Sequence, residues 1–234
     1  VLTVFIAINR TIIKNLYIFK FSKNTSDMLK QAVILAGGHG TRLMPITDKI
    51  PKPMVPINGR PFLEYLIELL RNNGMKEIVL CTGYLHEKIA EYFGDGSKFG
   101  VKIVYSAGDV SFETGKRLKN AENLLDENFL LLYCDNYWPL GLKELVELYE
   151  TSGSLALMTV YSNKKGVTKN NVRVEGNFIT KYDKSRTENG LNGVDIGFFI
   201  FNKSVIDMIG DGNCSFEETV FPTNFLALSL LATN

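Results

Sequence analysis

Gly37, Gly38 and Gly40 are followed within one short stretch by Arg42, Lys49 and Lys52, and Pro45, Pro51 and Pro53 punctuate the path between the cations. The stretch from Gln31 to Met54 reads QAVILAGGHGTRLMPITDKIPKPM. Glycine removes the side chain, so backbone N–H groups can approach an anion closely. Arg42 and Lys52 add positive charge, and the prolines stiffen the chain that carries them. Many donors, at least two cations and little flexibility suit a polyphosphate. Two common phosphate loops do not fit. No G-x-x-x-x-G-K-[ST] run is present, and a G-x-G-x-x-G fingerprint fails because its third glycine would fall on Leu43.

Asp135 is the next residue with chemistry in its setting. FLLLYCDNYW places a carboxylate just past a buried apolar run, where it could hold Mg²⁺, an ion that takes one or two carboxylates together with phosphates and waters. His39 and His86 are the only histidines, and no Ser-His-Asp or Cys-His set can be argued. Cys81, Cys134 and Cys214 are far apart and odd in number, which argues against a disulfide framework or zinc site and fits a reducing cytosol. Lys116 and Arg117 read as a solvated helix face, and Glu217 and Glu218 as the start of a helix.

These residues need a scaffold. The chain has 234 residues, 45% of them apolar and 22% charged, with a formal net charge of +1. That is an ordinary globular mix, and nothing in it argues for a nucleic-acid surface. Strand patterns at Gln31–Ala36, Glu77–Cys81, Val101–Tyr105, Phe129–Cys134 and Leu155–Tyr161 alternate with helix patterns at Pro61–Asn73, His86–Phe93, Gly115–Leu125 and Leu142–Thr151. Alternation of this kind implies a mostly parallel sheet covered on both faces. After Ser162 the rhythm changes. Val172–Val174 and Phe178–Tyr182 flank a Gly176-Asn177 hairpin turn, Asp195–Phe201 reads as a further strand and Ser204–Ile209 as a short helix. The glycine turn then lies at the carboxyl end of the first strand, where open α/β sheets bind ligands.

The string LAGGHGTRL at Leu35–Leu43, PIT at Pro45–Thr47 and PKPM at Pro51–Met54 closely resembles the signature of the sugar-1-phosphate nucleotidylyltransferases, and the helix opening GRPFLEYLIELL resembles that family's next element. The likeness runs from Met28 to about Pro222 and leans toward the heptose-phosphate and mannose-phosphate guanylyltransferase branch. It implies a Rossmann-like three-layer α/β sandwich with a mostly parallel mixed sheet and a small antiparallel excursion. It also implies a cytoplasmic enzyme in which the oxygen of a sugar 1-phosphate attacks the α-phosphate of an NTP with Mg²⁺ assisting. Carried over, Gly37, Gly38, Gly40, Thr41 and Arg42 would wrap the triphosphate, with Leu35 and Ala36 at the strand end also binding substrate. Lys52 would hold phosphate oxygens, Asp135 the metal, and Thr82 and Gly83 would lie near the base. Gly115 would contact base or sugar by its backbone. Lys184, with Lys181 as its rival, would reach the sugar's phosphate, and Asp195 would meet the sugar.

Two departures qualify the likeness. FETGKRLKNA replaces a G-T-A-G-like turn, which opens the question of base and sugar, and the tail TNFLALSLLATN lacks the family's second metal carboxylate. The expectation is a domain over 28–234 whose end is cut short or altered, with an exposed apolar tail that favours association. Residues 1–27, apolar but interrupted by Arg10, Lys14, Lys20 and Lys23, read as an appendage outside the fold without stable membrane insertion. Two other classes stay open. A metal-assisted glycosyltransferase would be expected to show D-x-D, where Cys134-Asp135-Asn136 offers one carboxylate, and a non-catalytic relative would not need Arg42, Lys52 and Asp135 intact. Neither the oligomeric state nor the identity of sugar and base is written in the sequence.

Overall fold

The computed structural model describes residues 29–139, 141–221 and the backbone of 227–232. The expectations for residues 1–27 and for the segment just after Phe221 lie outside them. In chain order the strands are β1 (Gln31–Ala36), β2 (Pro56–Ile57), β3 (Arg60–Pro61), β4 (Glu77–Thr82), β5 (Lys102–Ala107), β6 (Asn128–Tyr133), β7 (Ala156–Tyr161), β8 (Val172–Glu175), β9 (Phe178–Tyr182), β10 (Val194–Asn202) and β11 (Ala227–Ala232). The α-helices are α1 (Phe62–Asn72), α2 (His86–Phe93), α3 (Thr114–Asn120), α4 (Leu142–Ser152) and α5 (Phe216–Val220).

One nine-stranded sheet runs β5-β4-β1-β6-β10-β7-β11-β9-β8. β1 is parallel to both β4 and β6, and β4 to β5. β10 enters antiparallel between β6 and β7, and β8–β9 forms the antiparallel hairpin. Alternate residues of each strand face opposite sides. Ala32, Ile34, Leu80 and Leu132 pack with α1, α2 and α4 on one face. Val33, Leu35, Val79 and Leu131 pack with α3 and α5 on the other. The result is the expected three-layer sandwich, with β1 fully buried at its centre. On the α3–α5 face an aromatic cluster of Phe199, Phe201, Phe216 and Phe221 fills the core, with ring centroids 5.5 to 6.3 Å apart.

Several boundaries differ from the sequence patterns. α3 stops at Asn120, and Glu122–Leu124 forms a separate 3₁₀ turn, as does Lys203–Met208. α5 is too short to show a period. The apolar tail does not stand away from the fold over 227–232, because β11 pairs in parallel with β7 along its whole length and touches β9 at Leu228.

Gln31 is a buried polar group that ties the strands together below the site. It is fully buried; its Nε2 donates to Glu77 Oε1 and to the Leu124 carbonyl, both at 2.8 Å, and its Oε1 accepts from Asp126 N–H at 2.9 Å. These bonds fix β1 against β4 and against the segment that leads into β6. Gln31→Leu keeps the volume but strands a buried N–H and a buried carbonyl, so we expect a loss of about 1–3 kcal/mol in a denaturant melt, with no change in which elements form by circular dichroism.

Candidate active site

The carboxyl ends of β1 and β6 open into a cleft of about 720 Å³. Leu35, Gly37, Gly38, Gly40, Thr41, Arg42, Lys52, Asp135 and Lys184 line it, together with Phe112, Glu113, Thr114, Arg117, Tyr133 and Cys134. The loop after β1 is held in shape by its own residues. Gly40 sits at φ +67° and its carbonyl accepts from the hydroxyl of fully buried Thr47 at 3.0 Å, which explains the threonine of the signature. Tyr84 and Lys88 pin the far side through the carbonyls of Asp48 and Lys49. A turn clamped at so many points presents its N–H groups in one arrangement.

Opposite this loop, Lys52 forms an ion pair with Asp135. The turn after β6 is braced from β10, since Asn136 Nδ2 donates to the Ile196 carbonyl at 3.0 Å. The Lys52 and Asp135 side chains stay partly open to solvent, at 23% and 36%. Arg42 is exposed at the mouth and has no ion-pair partner among the described residues. Lys184 is likewise exposed in the lining, whereas its rival Lys181 is taken up by Glu188 at 2.8 Å and lies outside it.

The glycines separate by cause. A Cβ on Gly37 would overlap the Arg117 guanidinium, and one on Gly40 would crowd Lys52. A Cβ on Gly115 would come within 2.7 Å of the Cys214 carbonyl, where α3 crosses the segment leading into α5. Those glycines answer to the protein's own packing. Gly38 has nothing within 4 Å of its missing side chain and is exposed in the cleft.

Some predicted residues lie away from the lining. Ala36 is buried beneath the loop. The Thr82 hydroxyl is spent on His86 Nδ1 at 2.8 Å. Gly83 lies behind Arg117, and Gly115 is buried against Cys214. Asp195 sits deeper, in a polar group that the sequence did not reveal. Glu217 of α5, 3% exposed, accepts from the hydroxyls of Tyr133 and Thr114, each at 2.5 Å. Asp195 accepts from Gly197 N–H at 2.6 Å across a bulge in β10. Burial pushes the Asp195 carboxyl up to about 7, against the pull of that N–H, and nearby Glu217 adds to the rise. Burial also raises Tyr133, so its hydroxyl stays a donor. The thiols of Cys81 and Cys134 are pushed up to about 12 by burial and are not nucleophiles.

Arg117 corrects the sequence reading most sharply. It is not on a solvated face but 4% exposed. Nη1 donates to the Thr82 carbonyl at 2.7 Å, and Nη2 to the carbonyls of Asp109 and Phe112 at 3.0 Å, with longer contacts to those of Gly37 and Val110 at 3.4 Å. Lys116 is half-buried and donates to the Asp211 carbonyl at 2.8 Å. The signal that could have found Arg117 is its place in α3 directly before buried Leu118 and two residues after buried Gly115.

A family model described as Nucleotidyl transferase matches residues 31–224. The UTP–glucose-1-phosphate uridylyltransferase of Synechocystis sp. is 37% identical over 202 residues, covering 78% of this chain and 51% of that protein. The D-glycero-alpha-D-manno-heptose 1-phosphate guanylyltransferase of Campylobacter jejuni is 35% identical over 189 residues, covering 80% and 83%. The chain thus spans about half the length of the first relative and most of the second. The crystal structure of HddC from Yersinia pseudotuberculosis superposes with a TM-score of 0.72 at 26% identity, covering 86% of this chain and 90% of that one.

Gly38→Ala should leave the thermal midpoint of the free protein unchanged, since the new methyl group meets nothing, yet weaken nucleoside triphosphate binding about tenfold or more if the open face of that glycine is filled by ligand. Titration of both proteins with NTP reads the difference. Asp195 sets a pH dependence with a definite sign. Between the ordinary aspartate range and about pH 7 the unfolded chain has lost this proton and the folded chain keeps it, so stability falls as pH rises through that window. Asp195→Asn should flatten that fall, gaining stability relative to the parent at pH 8 but not at pH 4, as read by paired thermal melts.

Proposed function

The chain belongs to the nucleotidyl transferase family, and on that premise we propose that it transfers a nucleotidyl group from a nucleoside triphosphate to a sugar 1-phosphate. A phosphate oxygen of the sugar 1-phosphate bonds to the α-phosphorus, the bond from that phosphorus to the bridging oxygen breaks, and pyrophosphate leaves with the electron pair. The names of the relatives support this reading. The observation that carries it is the meeting of a clamped glycine turn, the exposed cation of Arg42 and the Lys52–Asp135 pair in one cleft.

Such a reaction asks the protein for position and charge rather than for a nucleophile. The N–H groups after β1 and the Arg42 guanidinium hold the triphosphate, and Gly38 leaves room for it. Lys52 stands where it can turn from Asp135 to phosphate oxygens as charge builds on them. Lys184, reaching in from the β9 side, is suited to the phosphate of the sugar. The donor set fits Mg²⁺. Asp135 would hold it with phosphate oxygens and waters, and when bound the ion would neutralise phosphate charge during displacement. We place the activity in the cytoplasm, in keeping with three free cysteines. Among the described residues no helix is long and apolar enough to cross a membrane.

Pyrophosphate release from a panel of NTPs and sugar 1-phosphates tests the reading. Lys52→Ala and Arg42→Ala should each lower kcat/KM about a hundredfold or more, roughly 3 kcal/mol of transition-state stabilisation, with unchanged melting. Asp135→Asn should lower activity and move the magnesium titration to higher concentration. Near-parental turnover in both cation variants would take Arg42 and Lys52 out of phosphate binding, and an unmoved magnesium titration would take Asp135 out of metal binding.

A further inference from the structure

Arg117 is a buried cation with no ion pair among the described residues, and the Asp109 carboxylate acts on it only from beyond ion-pair range. Its bonded acceptors are all main-chain carbonyls. Burial lowers its affinity for the proton, as expected for a cation taken from water. Its donors are not all used either. A guanidinium offers five N–H groups. Nη1 spends one of its two hydrogens on Thr82, and Nε meets no acceptor among the described residues. Unspent donors on a residue of the cleft lining are open to a ligand, and Arg117 forms part of that lining.

Its place within the cleft narrows what it can meet. Lys52 lies by Gly40 and Asp135, on the side where phosphate chemistry is expected. Arg117 lies against Gly37 and Gly83, at the ends of β1 and β4 on the other side of the turn. A nucleotide whose triphosphate lies along the turn toward Lys52 brings its base to that side.

Resting on the transferase reading above, we propose that Arg117 reads the nucleobase. Its guanidinium forms the floor of the base subsite and selects bases that present an exocyclic carbonyl oxygen, as guanine and uracil do, over those that present an amino group in its place. Arginine donates and cannot accept. An amino group set against it leaves two donors facing each other, which costs more than a missing contact. The absent side chains of Gly37 and Gly83 give the guanidinium its room, so the two glycines and the arginine act as one device.

The test is a single exchange of oxygen for nitrogen in the substrate, ITP against ATP for a purine site and UTP against CTP for a pyrimidine site, with the full chain and the best sugar 1-phosphate of the panel. The oxo partner should show kcat/KM about tenfold or more above the amino partner, for whichever ring the site accepts. Arg117→Gln should bring that ratio to within about threefold, and because the ratio is internal to one sample a loss of folded protein cancels from it. Gly83→Ala gives a second readout with the arginine retained, since its methyl group would fall 2.7 Å from both Nη1 and the Gly37 carbonyl and so part the guanidinium from its place at the end of β1. Equal rates within both pairs for the parent protein, or a preference preserved in both variants, would overturn the assignment. If no triphosphate releases pyrophosphate, the transferase reading fails by itself. The same ratios are then read as dissociation constants, where equal binding within both pairs overturns the base assignment and a tenfold preference supports it.

Discussion

The loops of this site are arranged around a buried positive charge. A guanidinium removed from water loses hydration that nothing short of several well-placed acceptors restores. Here the acceptors are carbonyls from the ends of β1 and β4 and from the loop between β5 and α3. Three chain segments far apart in sequence are therefore held to one centre. Gly37 and Gly83 are small because the centre needs the space. The orientation of the glycine turn, and hence of every N–H it offers, follows from this arrangement as much as from its own sequence.

Charge is divided across the cleft. The loop after β1 and the turn at Lys52 contribute cations near the solvent, one of them compensated by Asp135. Behind the lining, β10, α3 and α5 bring carboxylates and hydroxyls together, with Glu217 held between Tyr133 and Thr114 and Asp195 beside its bulge. The cationic side of the cleft is suited to anions.

The sequence carried the architecture well where a single element decides its own form. The apolar run of β1, the helical spacing of α1 with its Gly74 stop, and the Gly176-Asn177 turn of the β8–β9 hairpin are all local signals. It carried the cationic side of the cleft too, since Arg42 and Lys52 lie in one contiguous string with the glycines. What it concealed depends on partners distant in the chain. Arg117 reads as a surface residue because nothing in KRLKNA reports the carbonyls of Gly37 and Thr82. Glu217 reads as an ordinary first-turn acid because Tyr133 and Thr114 come from other elements. Gly115 invited a ligand explanation, whereas the geometry gives it the nearer cause of a helix crossing the backbone at Cys214. Thr82 sits at the right strand end with its hydroxyl turned to His86.

The position of β11 has a consequence for the order in which the molecule is completed. It is the last described strand in the chain, yet in the sheet it stands between β7 and the β8–β9 hairpin. While a ribosome is still adding the residues after β10, the half of the sheet from β5 to β7 already has all its strands, and the hairpin has formed its own turn with no neighbour on the inner side. Synthesis proceeds at roughly 5–20 residues per second, so for on the order of seconds the edges of β7 and β9 stand with unpaired N–H and C=O groups, the kind of edge that invites pairing with another chain. A nascent copy on the same messenger would meet that opening before its own β11 could fill it.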